Sequence, residues 1–282
     1  MGHISTGKKF KPLDFLLRLL SWACAAFTLS ILLFIVAHIA AKGAPYLKPS
    51  LFALAYTTEN ASLFPALVTT VMAVAMSLLI AVPAGVFSAV YLVEYARRGS
   101  VPVKLVRATA ETLSGIPSIV YGLFGWLFFV TWLKWGFSLL AGSFTMSIMI
   151  LPLVMRTAEE SLKSVPDIYR EGSYGLGAGR LRTVFLIALP AAAPGIFAGV
   201  VLATGRIAGE TAALIYTAGT VPQVPQNPLA SGRTLAVHMY ALSSEGLYTG
   251  QAYATAVVLL AAVVGINALS AAAAKKLSKT NK

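Results

Sequence analysis

Arg206 and Glu210 are the residues whose types and spacing point most directly at a chemical task. They close an apolar stretch that carries no charge from 183 to 205. At the centre of a membrane-spanning helix an arginine costs about 2.5–3.5 kcal/mol on insertion scales, and less toward a helix end. Such a residue lines a polar cavity or has a partner, and its planar fork of donors suits the oxygens of a phosphate-like anion. Glu210 lies four residues on, the spacing that puts two side chains on one helical face. The other readings are an internal Arg206–Glu210 salt bridge, or an arginine reaching out to lipid headgroups.

No catalytic set stands beside this pair. Ser114 near Glu111 has no neighbouring histidine, and His3, His38 and His238 fall in three different regions. Cys24 is alone, so neither an intramolecular disulfide nor a thiolate metal cage is expected. The run Gly175-Leu-Gly-Ala-Gly179 has no strand before it and is no dinucleotide fingerprint, and the chain has no GxxxxGK[ST] sequence. An intramembrane enzyme therefore finds no support.

The elements that must hold Arg206 are apolar. Hydrophobic residues make up 57% of the chain and charged residues 11%, against roughly 25% charged in soluble domains. Charge-free stretches predict six spans, at about 19–41, 65–93, 112–133, 136–155, 184–210 and 250–274. Each is long enough for a hydrocarbon core of about 30 Å. These are continuous runs without the alternation of barrel strands.

The net charge of +12 speaks for topology rather than nucleic acid. Four Lys or Arg lie in each of 1–18, 94–111 and 275–282, and five in 156–182, leaving only Lys42, Lys48, Lys134, Arg206 and Arg233 elsewhere. Positive loops stay inside. Both termini and the loops 94–111 and 156–183 are thus expected in the cytoplasm, with the first span retained rather than cleaved as a signal. The Pro- and Gly-containing loop 217–249 faces outward and is too long for a simple connection. A short helix over Thr234–Leu242 is expected to lie on its surface.

The fifth span carries small-residue pairs, Gly195/Gly199 and Gly205/Gly209. These allow close helix approach, either as ordinary packing or at the centre of a dimer. In the loop 156–183, Ser164-Val-Pro-Asp167 predicts a helix start and Gly177 with Gly179 its stop. The helix between is about 15 Å long. With Gly172 and Gly175 inside, it is marginal alone and needs a partner's groove.

The register of Glu171, Gly177, Ile187, Leu189 and Pro190 resembles the signature by which permease subunits of ABC importers engage a separate ATPase. Further phrases are Tyr91-Leu-Val-Glu-Tyr-Ala96, Glu111-Thr-Leu-Ser-Gly-Ile-Pro117, Arg156-Thr-Ala-Glu-Glu-Ser161 and Gly205-Arg-Ile-Ala-Gly-Glu-Thr-Ala212. Together they resemble the PstA-type permease subunits of phosphate ABC importers.

The resemblance implies an all-α membrane protein with six transmembrane helices and the type I ABC importer (MetI-like) permease fold. It implies a cytoplasmic N-terminus at 1–18, a transmembrane domain at 19–274 and a cytoplasmic tail at 275–282. Tyr169, Arg170, Glu171, Gly172, Ser173 and Gly177 would couple to the ATPase, and Arg206 with Glu210 would line the phosphate pathway. The implied partners are a PstC-like permease, two PstB-like ATPases and an outer PstS-like phosphate-binding protein, in a bacterial or archaeal plasma membrane. ATP and Mg belong to the ATPase, and this chain is expected to bind no cofactor. The runner-up is the same architecture importing another oxyanion such as sulfate or molybdate, and an ATP-independent carrier stands third. Two positions depart from the family pattern: Glu171-Gly172-Ser173 replaces the usual Glu-Ala-Ala, and Ala213 stands where many relatives carry Pro.

Overall fold

A computed structural model describes residues 12–97, 99–246 and 248–280. Residues 1–11 and 281–282 of the expected tails, His3 among them, lie outside these described residues. Every regular element among them is helical: α1 (Pro12–Gly43), α2 (Phe64–Val90), α3 (Val101–Ser114), α4 (Ser118–Gly125), α5 (Leu139–Lys163), α6 (Asp167–Gly175), α7 (Arg180–Thr183), α8 (Leu189–Ala208), α9 (Ala212–Thr217), α10 (Leu235–Ser244) and α11 (Thr249–Thr280).

α5 is the centre of the bundle. Of its most apolar stretch 67% is buried, whereas none of the corresponding stretch of α1 is. α2 and α8 flank α5, and α11 packs on α8 and carries α1 on its far side. α2 meets α5 through a seam of small residues four apart: Thr69, Ala73, Ser77, Ala81, Gly85 and Ala89, all buried. Small side chains let two helix backbones approach, which is how helices associate where lipid gives no hydrophobic drive. A Cβ at Gly85 would lie 2.8 Å from Val154 Cγ1. Ser147 on α5 donates to the Ser77 carbonyl at 3.0 Å, tying the seam across.

α8 uses the same device. A side chain at Gly195 would strike Ser161, and one at Gly199 would strike Thr157. These glycines serve packing inside the chain, while Gly205 has nothing nearer than 3.8 Å. α8 also continues from α7 without a break, through one wide turn at Val184–Ala188. Pro190 cannot donate to the carbonyl four residues back and its ring crowds it, and the wide turn absorbs that conflict.

The third span departs from the expected 112–133. α3 and α4, the latter extended by a wide turn to Trp132, meet at 101°. The break falls at Gly115-Ile116-Pro117, where the proline drives Ile116 out of helical geometry. Among the described residues five helices are long and apolar enough to cross a membrane unaided, and the bent pair taken as one span makes six. The 94–111 loop is therefore largely a helix with charged residues along it. α5 likewise runs on to Lys163, past the expected end at 155.

α10 forms close to the expected place but does not lie on a surface. Leu235, Ala236, Val237, His238 and Leu242 are buried, and the Leu235 N–H donates to Thr70 on α2 at 2.8 Å. Four buried apolar side chains outweigh the polar character of the surrounding loop.

Candidate functional site

Two regions hold the residues singled out by sequence, one at each end of α8. At its distal end α8 stops at Ala208. Ile207 belongs to the central core cluster with Met146, Ile150 and Tyr121, so the helix ends beside the middle of α5. Arg206 is exposed on the last turn and Glu210 is half-buried. A cation there is favoured by the negative end of the helix dipole.

Arg206 and Glu210 form no ion pair among the described residues. The helix has ended before Glu210, so the four-residue spacing no longer places the two on one face. Glu210 instead accepts the Ala213 N–H at the head of α9, at 3.4 Å. A proline at 213 could not make that bond. α9 is pinned against α4, where a Cβ at Gly122 would lie 2.8 Å from the Ala213 Cα. Tyr121, in the same core cluster as Ile207, is a residue that sequence reasoning missed. Its hydroxyl donates to the Leu113 carbonyl at 2.8 Å, bracing the α3–α4 bend.

At the other end, α6 projects from the bundle and buries none of its residues. Ser164 does not start it. Its N–H donates to the Glu160 carbonyl at 3.0 Å and closes α5, and α6 begins after Pro166 with Asp167 in the first turn. Gly177 stops it, in a left-handed conformation with φ of +82° that glycine adopts without steric cost. Gly172 and Gly175 would have nothing within 4 Å of an added Cβ. Ile168, Tyr169, Tyr174 and Leu176 stand exposed, Leu176 at 92%. Glu171 is exposed and has no ion pair among the described residues. Ser173 is half-buried and bonds the Thr183 hydroxyl at 2.8 Å.

Arg170 differs from these neighbours. It turns inward to Glu94 at the end of α2, at 2.8 Å. Glu94 stands in the phrase Tyr91–Ala96 with no role of its own assigned from the sequence, though it is the first charge after a run of apolar and polar neutral residues from 60 to 93. Beside α6, a charged pocket of about 270 Å³ lies between α3 and α5. Within it buried Glu159 pairs with both Arg107 and Lys163, each at 2.6 Å. Among the described residues no group of three His, Cys, Asp or Glu could hold a metal ion.

The segment between α9 and α10 divides in two. Residues from Thr220 to Leu229 are mostly exposed. Beyond them Arg233 is buried, with its guanidinium 4.6 Å from the centre of the Tyr56 ring. His238 lies edge-on to the same ring. Burial, and then the Arg233 charge, hold the His238 imidazole down to about 3.

Residues 81–279 match the family described as binding-protein-dependent transport system inner membrane component. Among curated proteins, the chain is 37% identical over 185 residues to the probable ABC transporter permease protein YqgI of Bacillus subtilis, covering 61% of this chain and 63% of that protein. It is 36% identical to the phosphate transport system permease protein PstA of Pasteurella multocida, covering 71% of each. For PstA of Haemophilus influenzae the identity is 32%, covering 80% of this chain and 81% of that one. Among solved structures, the fold matches a chain of a bacterial alginate ABC transporter in complex with alginate pentasaccharide-bound periplasmic protein. The TM-score is 0.67 at 16% identity, over 92% of this chain and 93% of the other. A chain of the MetNI methionine ABC transporter in an inward-facing conformation matches with a TM-score of 0.58 at 19% identity, over 76% and 94%.

Proposed function

We infer, from the premise that the chain belongs to the family of binding-protein-dependent transport system inner membrane components, that it is the PstA-like permease subunit of an ATP-driven phosphate importer. The names of its relatives support phosphate as the substrate. The chain is a non-catalytic membrane subunit of an ABC transporter. Energy for transport comes from a separate ATPase, where ATP and Mg act.

The observation that carries the phosphate reading is the state of Arg206. It is exposed, it ends a helix beside the middle of the bundle, and Glu210 does not neutralise it. A guanidinium left free in this way can exchange its fork between water and the oxygens of a passing anion. A PstC-like subunit would close the pathway from the side that Arg206 faces.

α6 supplies the contact to the ATPase. Its exposed Ile168, Tyr169, Tyr174 and Leu176 are an unpaired apolar surface on a helix too short to be stable by itself. Two PstB-like ATPases fit this reading, one beneath each permease of a heterodimer. The exposed tip from Thr220 to Leu229 is the surface offered to a PstS-like binding protein, because the rest of that segment is packed into the bundle. Pro222, Pro225 and Pro228 limit its freedom and lower the ordering cost of docking.

Radiolabelled phosphate uptake by the reconstituted complex, competed with sulfate and molybdate, tests the assignment. Phosphate alone is expected to compete. Equal competition by sulfate or molybdate would move the substrate to another oxyanion, and uptake without ATP would remove the importer reading.

A further inference from the structure

Arg170 sits on the helix that faces a partner, yet its guanidinium faces the permease. Each of its five N–H groups has an acceptor. Nε and Nη2 both donate to Glu94 Oε1, at 3.0 and 2.8 Å. Nη2 also donates to the Leu162 carbonyl at 2.8 Å. Nη1 donates to the Val165 carbonyl at 2.8 Å and to Asp167 Oδ1 at 3.3 Å. The side chains are 12% exposed for Arg170 and 5% for Glu94. Charge-assisted bonds in so dry a place are strong, and a saturated fork is fixed in direction as well as distance.

Two of the acceptor residues, Glu94 and Leu162, belong to the ends of two core helices. Glu94 lies in the widened last turn of α2, at Tyr91–Tyr95, and Leu162 in the last turn of α5. The next residue, Tyr95, holds the following helix: the Arg180 guanidinium on α7 lies 5.4 Å from its ring centre. Adjacent residues of α2 thus fasten both flanks of the projecting segment. Beneath them Val90, Leu92, Leu162, Val165 and Val184 form one buried cluster.

α6 needs such a fastening. It buries no residue of its own, and the Gly177 and Gly179 link on its far side has no neighbour within 4 Å of an added Cβ. A helix held only by its chain ends would swivel when pushed. We propose that the Arg170–Glu94 pair is the rigid joint that carries displacement of α6 into α2 and α5. Arg170 is then a positioning residue of the coupling machinery rather than a contact to the ATPase. The proposal rests on the reading of α6 as the ATPase contact.

The test uses the whole complex in proteoliposomes, free of other cysteines, with Cys24→Ser and the pair Glu94→Cys and Arg170→Cys in this chain. Before crosslinking, the ATPase should still co-purify, while phosphate moved per ATP hydrolysed falls about tenfold, the scale of a coupling between two sites. A reducible bifunctional thiol reagent of matching length should restore the ratio, and reduction should abolish it again. Arg170→Lys keeps the charge without the fork and should fall between. A normal ratio in the unlinked complex, or no recovery on crosslinking, overturns the joint. If the cysteine pair fails to assemble, Glu94→Gln gives the same readout in a nearly isosteric form. Leu176→Asp separates the two ideas. If it leaves ATPase binding and stimulation intact, the coupling reading of α6 fails. If it weakens them while the Arg170 and Glu94 variants couple normally, only the joint fails.

Discussion

Arg206 and Glu210 stand four residues apart and do not pair, because α8 ends between them and Glu210 turns to the Ala213 N–H. The donor fork of the arginine is therefore not taken up by Glu210. Arg206→Lys should impair phosphate uptake at normal membrane abundance, since it keeps the charge and loses the planar fork. Arg206→Gln should abolish uptake while basal ATPase activity survives. Combining Arg206→Gln with Glu210→Gln should give no rescue. Recovery of uptake in that double variant would mean that the two residues serve as a structural pair.

Gly177 should resist any side chain. At φ of +82° a non-glycine residue costs roughly 1 kcal/mol, which a nine-residue helix with no buried residue cannot absorb. Gly177→Val and Glu171→Trp are expected to insert normally, yet to lose substrate-stimulated ATP hydrolysis in reconstituted complexes. Unchanged stimulation in both would remove α6 from the coupling pathway.

Gly199 and Gly205 should respond oppositely to the same change. Gly199→Ala drives a methyl into Thr157, and overpacking of this kind costs about 1–3 kcal/mol. Gly205→Ala meets nothing nearer than 3.8 Å and, inside α8, should stabilise by up to about 1 kcal/mol, the helix preference of Ala over Gly. Thermal unfolding in detergent distinguishes them, and equal melting of the two variants would contradict the close approach of α8 to α5.

His238 makes the α10 region sensitive to acid. Its imidazole titrates near 3 in the folded chain against an ordinary 6.5, so the unfolded state binds the proton first. The stability it contributes is full above pH 6.5 and falls as pH drops toward 3, by on the order of 2 kcal/mol at pH 5. Measured against the intrinsic rate, which itself slows on acidification, hydrogen exchange of the α10 amides should show an excess at pH 5 over pH 7. His238→Gln should flatten that excess. An identical excess in the variant would assign it to another group.

A crosslinker placed at Gln226, on the exposed tip between α9 and α10, should capture the phosphate-binding protein in a transporting complex. One at Leu242, buried in the bundle, should not. Failure at Gln226 in an active complex would reduce the tip to a cover over the outer mouth.

The spans and the stop of α6 were legible because absence of charge and a glycine at a helix end act locally. Direction was not. The run 112–133 reads as unbroken because apolar composition says nothing of the 101° bend at Gly115-Ile116-Pro117, although the proline was in view. The partner of Arg170 lies 76 residues away, and no spacing rule connects them. The seam on α2 escaped notice because Thr69 and Ser77 look polar beside Gly and Ala, while packing responds to their size. For Arg206 and Glu210, a regular helix was assumed through a point where the chain changes direction.

α1 packs on α11, which lies about 200 residues further along the chain and so leaves the ribosome much later. Among the described residues α11 is the long helix against which α1 chiefly packs, so α1 waits for its main partner while the spans between them are made. It is thereby fastened only after those spans, and a ribosome that stops before α11 leaves α1 without that partner.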